Sequence, residues 1–180
     1  MTNDYLNNMF QIPLLHVELM NWDEKRQKLL DLFDSLNVGY DQTVWTNYHT
    51  DLTPLNDKIQ DILKEDIDKF NESFNCSSTV IDSWFEKALR SDFHLPHNHG
   101  PFGFSAVCYV KYSSMVHTPT EFISPFPNFI DGGALIHRPN VDEGSLVFFP
   151  ASLVHFTRPN TSDEERIVLS FNLQILNFKR

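Results

Sequence analysis

The sequence predicts an α+β fold, mainly β: two amphipathic helices in the N-terminal part, followed by a sandwich or barrel of short strands. Three observations carry this. Apolar residues recur at helical spacing twice before residue 71. That spacing vanishes from Ser78 onward, where short β-branched or aromatic runs alternate with turn residues. Six or more strands after two helices suit packed layers, with no alternation of strand and helix.

Taken in order, Leu14-Leu15-His16-Val17-Glu18-Leu19 alternates in its later part and predicts a strand at a sheet edge. Asn21-Trp22-Asp23 offers a helix N-cap, and Leu29, Leu30, Leu32, Phe33 and Leu36 follow at helical spacing until Asn37-Val38-Gly39 stops the pattern. A second helix is predicted over 56–70, with Ile59, Ile62, Leu63, Ile67 and Phe70 on one side. Both helices are expected to cover a sheet. Strands are predicted at 79–89, 93–99, 104–112, 120–123, 145–149, 153–158 and 166–176. Trp84, early in the first of these, is expected in the core. With no repeat, low-complexity tract or linker, residues 1–180 read as a single domain, in which 1–77 support a β core over 78–176.

Composition removes several function classes. A 41% hydrophobic, 21% charged chain is not a disordered one. A formal net charge of −10 provides no global field for nucleic acid or an anionic membrane. The N-terminal Met-Thr-Asn-Asp-Tyr has no basic n-region or apolar h-region, and no run approaches a membrane span, so a cytoplasmic location is expected. Two cysteines, Cys76 and Cys108, are too few for a disulfide framework or a cysteine zinc site and are read as free thiols.

Three of the eight histidines crowd into Phe93-His94-Leu95-Pro96-His97-Asn98-His99-Gly100. Residues two apart on an extended chain point to one side, so His97 and His99 can face one metal ion, while His94 points elsewhere. Imidazole serves Fe, Zn, Ni and Cu alike, and the pair does not choose among them. An apolar strand, Ser145 to Pro150, then leads through a short turn to His155, either a rigidly held ligand or a histidine of the core or rim. His117 and His137 have no supporting context.

The last strand sorts Ile167, Leu169, Phe171 and Leu173 onto one face, and Arg166, Val168, Ser170, Asn172 and Gln174 onto the other. The second face either meets water or lines a pocket, where Arg166 could pair with a carboxylate and Ser170 or Asn172 could add hydrogen bonds. Periodicity leaves both open. The long loop over 113–143, rich in Pro, Phe and Gly, either recognises substrate as a lid or caps the barrel. Ser145 and Ser152 lack a nucleophile-elbow context, which argues against a serine hydrolase.

The order His-x-His, then His155 58 residues after His97, then Arg166 eleven residues further, resembles the Fe(II)/2-oxoglutarate oxygenase superfamily. Its signature is His-x-Asp or Glu, a distal His, and an Arg or Lys about ten residues beyond. The segments His97-Asn98-His99-Gly100, Gly144 to Pro150 and Arg166 to Asn172 look like a branch related to prolyl hydroxylases and widespread in bacteria and phages. Over residues 78–176 the resemblance implies a double-stranded β-helix, jelly-roll or cupin-like, which the two predicted N-terminal helices would cover. It implies a dioxygenase using Fe(II), O2 and the small-molecule co-substrate 2-oxoglutarate, whose decarboxylation to succinate is coupled to C–H oxidation of a protein side chain or small molecule. Carried over residue by residue, His97, His99 and His155 would hold the metal and Arg166 would clamp the co-substrate's far carboxylate. Ser170, Asn172 and Tyr109 are further co-substrate contacts, Tyr109 being equally a core aromatic.

His99 departs from the pattern, since the superfamily places a carboxylate there. It is read as a ligand, against a supporting role or replacement by Asp131 or Asp142. The rival functions are a cupin-like three-histidine metalloenzyme that uses no 2-oxoglutarate, and a β-sandwich binding module that holds no metal. The sequence leaves the primary substrate and the oligomeric state open.

Overall fold

The computed structural model describes residues 11–178, and the N-terminal pentapeptide considered above lies outside them. The chain begins with β1 (Leu15–Glu18), α1 (Trp22–Ser35) and a hairpin of β2 (Gly39–Asp41) and β3 (Val44–Thr46). Helices α2 (Thr53–Ile62) and α3 (Lys64–Ser73) follow, then β4 (Cys76–Ala88), β5 (His94–His97) and β6 (Phe104–Lys111). The remaining strands are β7 (Glu121–Ile123), β8 (Ile136–His137), β9 (Ser145–Pro150), β10 (His155–Thr157) and β11 (Arg166–Phe178).

These strands form two antiparallel sheets. The larger runs β1-β9-β6-β11-β4-β3-β2, and the smaller β5-β10-β7-β8. β1 pairs only with β9 and sits at the sheet edge, as its alternation predicted.

The parity of the side chains explains the layering. On one face of the large sheet Ala106, Cys108, Leu146, Phe148, Leu169 and Phe171 pack against Leu29, Phe33, Ile59 and Phe70 of the helices. On the other face Val107, Tyr109, Val147, Phe149 and Val168 pack with Phe122 of the small sheet. Both faces of the central strands are thus buried, which explains why β6 and β9 read as nearly continuous apolar runs. Burial of each such Leu, Val or Phe contributes roughly 1.5–3 kcal/mol. The paired sheets with helices on one outer face make the double-stranded β-helix with its helical cover.

Besides the short strand β8, which was not predicted, two details differ from expectation. The second predicted helix is two, broken at Leu63, whose ψ of 15° leaves helical geometry. The buried stripe Leu55, Ile59, Leu63, Ile67 and Phe70 continues through the break, so hydrophobic spacing alone could not reveal it. The β2–β3 hairpin is also new: too short for a clear period, it is held by β4 through Trp45 opposite Lys87. Beneath the helices, buried Lys25 of α1 pairs with the fully buried Asp66 of α3, which also accepts from Lys69 at 3.0 Å.

Among the described residues no helix is long and apolar enough to cross a membrane. Cys76 and Cys108 are both free thiols.

Candidate metal centre and active site

The strand register assembles the site. On the face of the large sheet that looks toward the small one, β11 pairs Asn172 with Asp82 of β4 and Ser105 of β6. The next inward pair brings Ser170 between Trp84 and Val107, and the next sets Val168 between Glu86 and Tyr109. Each row is fixed by backbone hydrogen bonds, so these side chains form a rigid floor. On β11 the polar face divides: Arg166, Val168 and Ser170 are buried between the sheets, Asn172 is half-buried, and Gln174 meets water.

The small sheet supplies the roof. β5 and β10 pair so that His97 lies directly opposite His155, and the backbone N–H of His99 donates to the Ala151 carbonyl at 2.8 Å. The three rings converge, and one nitrogen from each of His97, His99 and His155 lies within 4.8 Å of the others. His97 Nε2 and His99 Nε2 are 3.1 Å apart.

The far side of each ring decides what these nitrogens can do. His97 Nδ1 donates to the Leu95 carbonyl at 2.8 Å, and His155 Nδ1 to the Leu153 carbonyl at 3.0 Å. His99 Nδ1 lies 2.9 Å from Asn172 Oδ1 and 2.8 Å from Ser105 Oγ. With a proton on every Nδ1, every Nε2 carries a lone pair. Burial is the main influence pushing the protonated forms down, His97 to about 4 and His155 to about 3, with His99 lowered in the same direction. Three neutral rings thus turn lone pairs toward one point. Two such pairs at 3.1 Å repel unless a cation lies between them, and nitrogens at right angles on a first-row metal stand about 3 Å apart. The residues fit a metal ion, with outer partners of the kind that orient ligating imidazoles.

Asp131 and Asp142 do not replace His99. Asp131 accepts from the Gly133 N–H at 2.9 Å, and Asp142 accepts from Ser114 Oγ at 2.9 Å, both within the long loop and its base.

Arg166 is buried, donating through one guanidinium nitrogen to the Thr118 carbonyl and through the other to Thr157 Oγ1, both at 3.0 Å. Thr157, His97, His99, His155 and Ser170 line one narrow pocket between the sheets. Among the described residues no carboxylate lies within ion-pair distance of Arg166. Tyr109 stands beside this pocket, its hydroxyl accepting from the Thr120 N–H at 3.1 Å and its ring 4.8 Å from Tyr112. Asn172, suggested above as a co-substrate contact, stands behind His99, where His99 and Ser105 engage its oxygen.

A model of the 2OG-Fe(II) oxygenase family matches residues 82–172, just over half of the chain. The chain belongs to this family. Its fold is shared with solved 2OG-Fe(II) oxygenases. The α-ketoglutarate-dependent epimerase SnoN from nogalamycin biosynthesis aligns with TM-score 0.71 at 13% identity, over 89% of this chain and 77% of its own. HygX from Streptomyces hygroscopicus, solved with nickel, 2-oxoglutarate and hygromycin B, aligns at 0.68 and 11% identity, over 92% and 84%. A Pseudomonas putida prolyl-4-hydroxylase aligns at 0.59 and 15% identity, over 89% and 91%. No curated protein matches the chain. As a 2OG-Fe(II) oxygenase the protein is an enzyme that uses Fe(II), O2 and 2-oxoglutarate, and the reading as a metal-free binding module falls away.

Several residues of this oxygenase site escaped the sequence. His94, expected to point elsewhere, stacks on His97 with ring centroids 4.1 Å apart. Its Nδ1 lies 3.2 Å from the buried carboxylate of Glu86, which also accepts from Trp84 Nε1 at 2.9 Å. Burial alone would raise the Glu86 carboxyl, but His94 and the Trp84 donor hold it at about 2. Trp84 is buried as expected, yet it also meets His99 edge-on at 5.2 Å. The signal for Glu86 was its parity with Trp84 on one strand face.

A cleft of about 470 Å³ opens on the other side of His97 and His99. Its walls come from residues 41–49, β4, residues 94–99 and Asn172 of β11, and none of the 113–143 loop lines it. The loop's aromatics divide: Phe122 is buried in the core between the sheets, whereas Phe129 is 88% exposed.

Proposed function

We propose that His97, His99 and His155 hold Fe(II) through their Nε2 atoms, and that Arg166 receives the far carboxylate of 2-oxoglutarate in the pocket between the sheets. Bound there, the iron supplies the O2 chemistry that couples decarboxylation of the co-substrate to oxidation of a substrate C–H bond. The observation that carries the assignment is the pairing of every Nδ1 with a fixed acceptor while the Nε2 atoms converge.

The chain's own work is placement. Leu95, Leu153 and Asn172 fix the three ring orientations, so no imidazole needs to reorient when metal arrives. Val107 and Val168 give the pocket apolar walls that exclude water, and Ser170 adds a hydroxyl on its floor. The pocket is closed down to about 10 Å³, so admitting the co-substrate requires side chains to move. Exchange of the two neutral acceptors of Arg166 for a carboxylate strengthens both of its hydrogen bonds and drives that movement. With the helices packed on the same sheet that bears the site, the chain is read as one domain. Two free thiols fit a cytoplasmic location.

Anaerobic titration of Fe(II)-loaded protein with 2-oxoglutarate tests these roles. Chelation by the keto acid should raise a weak visible charge-transfer band, lost in His155→Ala and requiring far more co-substrate in Arg166→Ala. No band with iron verifiably bound would contradict the assignment.

A further inference from the structure

We propose that the cleft beside His97 and His99 takes a small molecule carrying an ammonium group, received by the carboxylates of Asp82 and Asp41 and the rings of Tyr48 and Trp84. The inference rests on the metal assignment above, since that assignment makes this cleft the place where a substrate C–H bond meets the centre.

The cleft itself, and not its charge, defines the site: at about 470 Å³ it falls within the range of small-molecule pockets and is walled partly by the two candidate ligands. The charge names the occupant. Asp41, Asp82 and Glu86 line it, and no Lys or Arg does among the described residues. Glu86 is already matched by His94 Nδ1 at 3.2 Å. Asp41 meets His49 at 2.8 Å, on the more exposed rim. Asp82 has the least: half-buried, its one side-chain partner among the described residues is the Asn172 amide, at a long 3.5 Å. A half-buried carboxylate with so weak a partner keeps acceptor positions open toward the cleft, which a ligand ammonium within hydrogen-bond distance would fill.

The aromatic surface supports the same class. The Tyr48 and Trp84 rings meet edge-on with centroids 5.1 Å apart, forming an angled wall. Such a wall attracts a cation to its ring faces and contacts the carbon skeleton around it. An anionic substrate would meet Asp41 and Asp82 here, with no Lys or Arg among the described residues of the cleft to answer it. Asp82 also lies across the strand pair from Asn172, the residue behind His99, so a cation held by Asp82 sits within one side chain of the proposed metal ligand. The oxidised carbon is then expected a few bonds from the amine.

The test uses Mn(II)- and 2-oxoglutarate-loaded full-length protein and calorimetric titration with glucosamine, spermidine and lysine amide, each against its N-acetylated form. At least one amine should bind ten-fold or more tightly than its acetylated partner, with the preference reduced to near unity in Asp82→Asn and weakened in Asp41→Asn. The anaerobic 2-oxoglutarate titration of the Fe(II) form, run on every variant, reports whether its fold and metal centre survive. If the band forms but the acetylated compounds bind as well, no amine binds, or Asp82→Asn keeps the preference, the proposal is overturned while the metal and co-substrate assignment stands. If the wild-type band itself is missing, both fall together.

Discussion

Asn172 Oδ1 lies 2.9 Å from His99 Nδ1, and an amide oxygen can only accept, which favours the tautomer with its lone pair on Nε2, the atom proposed to bind metal. Asn172 is in turn fixed by Ser105, whose hydroxyl donates to the same oxygen at 2.8 Å. Replacement by Leu removes the acceptor and lets the ring turn or change tautomer. Asn172→Leu should weaken Mn(II) or Co(II) affinity on the order of ten- to hundred-fold, whereas Asn172→Asp, which keeps the acceptor, should retain most of it. Metal titration followed by electron paramagnetic resonance separates these outcomes, and equal loss in both variants would contradict a positioning role.

Arg166 offers a second test because its guanidinium is planar and buried. Lysine keeps the charge but gives up the two-pronged match to a carboxylate. Loss of one charged hydrogen bond, about 1.5–3 kcal/mol, corresponds to a 2-oxoglutarate KM raised on the order of ten- to hundred-fold in Arg166→Lys. Apparent metal affinity should move little. A KM within two-fold of the parent would remove Arg166 from the co-substrate site.

The histidines of the candidate site predict a direction for pH. His97 and His155 are lowered from 6.5 to about 4 and about 3, so folding disfavours their protonated forms. Their neutral forms cost nothing above pH 6.5, and stability is lost as pH falls from 6.5 toward 4. His94, raised by Glu86, works the other way: its contribution is present below 6.5 and lost as pH rises through its folded value. Glu86 holds at about 2, so its contribution is complete above 4.5 and is lost only as pH falls below that. With three lowered histidines, His97, His99 and His155, against one raised, metal-free protein should melt at a lower temperature at pH 5 than at pH 7. Thermal melts across that interval check the sign, and a flat or rising profile toward acid would contradict it.

Lys25 and Asp66 join α1 to α3 beneath the sheet, with Asp66 fully buried. Lys25→Met leaves Asp66 with Lys69 alone, a partner at 3.0 Å on the half-exposed side. The expected destabilisation is about 3 kcal/mol, most of it recovered by adding Asp66→Leu, because replacing both buried charges removes the desolvation problem. Urea unfolding of the two variants provides the comparison.

Much of this was legible before any coordinates. The period of two in 166–174 correctly separated Ile167, Leu169, Phe171 and Leu173 from Arg166, Ser170 and Asn172, because alternate residues of a strand must face opposite ways. It could not say what the second face meets, since water and a polar pocket impose the same pattern. The His97 and His99 spacing was likewise readable, as both side chains leave one side of an extended segment. Glu86 and Asp82 were missed because their importance arises from cross-strand neighbours that only the β4–β11 register brings together. The cleft walls at 41–49 were missed for a related reason: two three-residue strands carry too few positions to show a period. The long loop drew attention by its composition, although the cleft lies elsewhere.

The central claim is that a third imidazole, His99, occupies the position at which the family pattern has a carboxylate. X-ray absorption on anaerobic Fe(II)-loaded protein, parent against His99→Asp, measures it most directly. The account predicts imidazole scattering from three rings in the parent, falling to two in the variant with an added oxygen ligand. Two imidazoles in the parent, unchanged in His99→Asp, would contradict it.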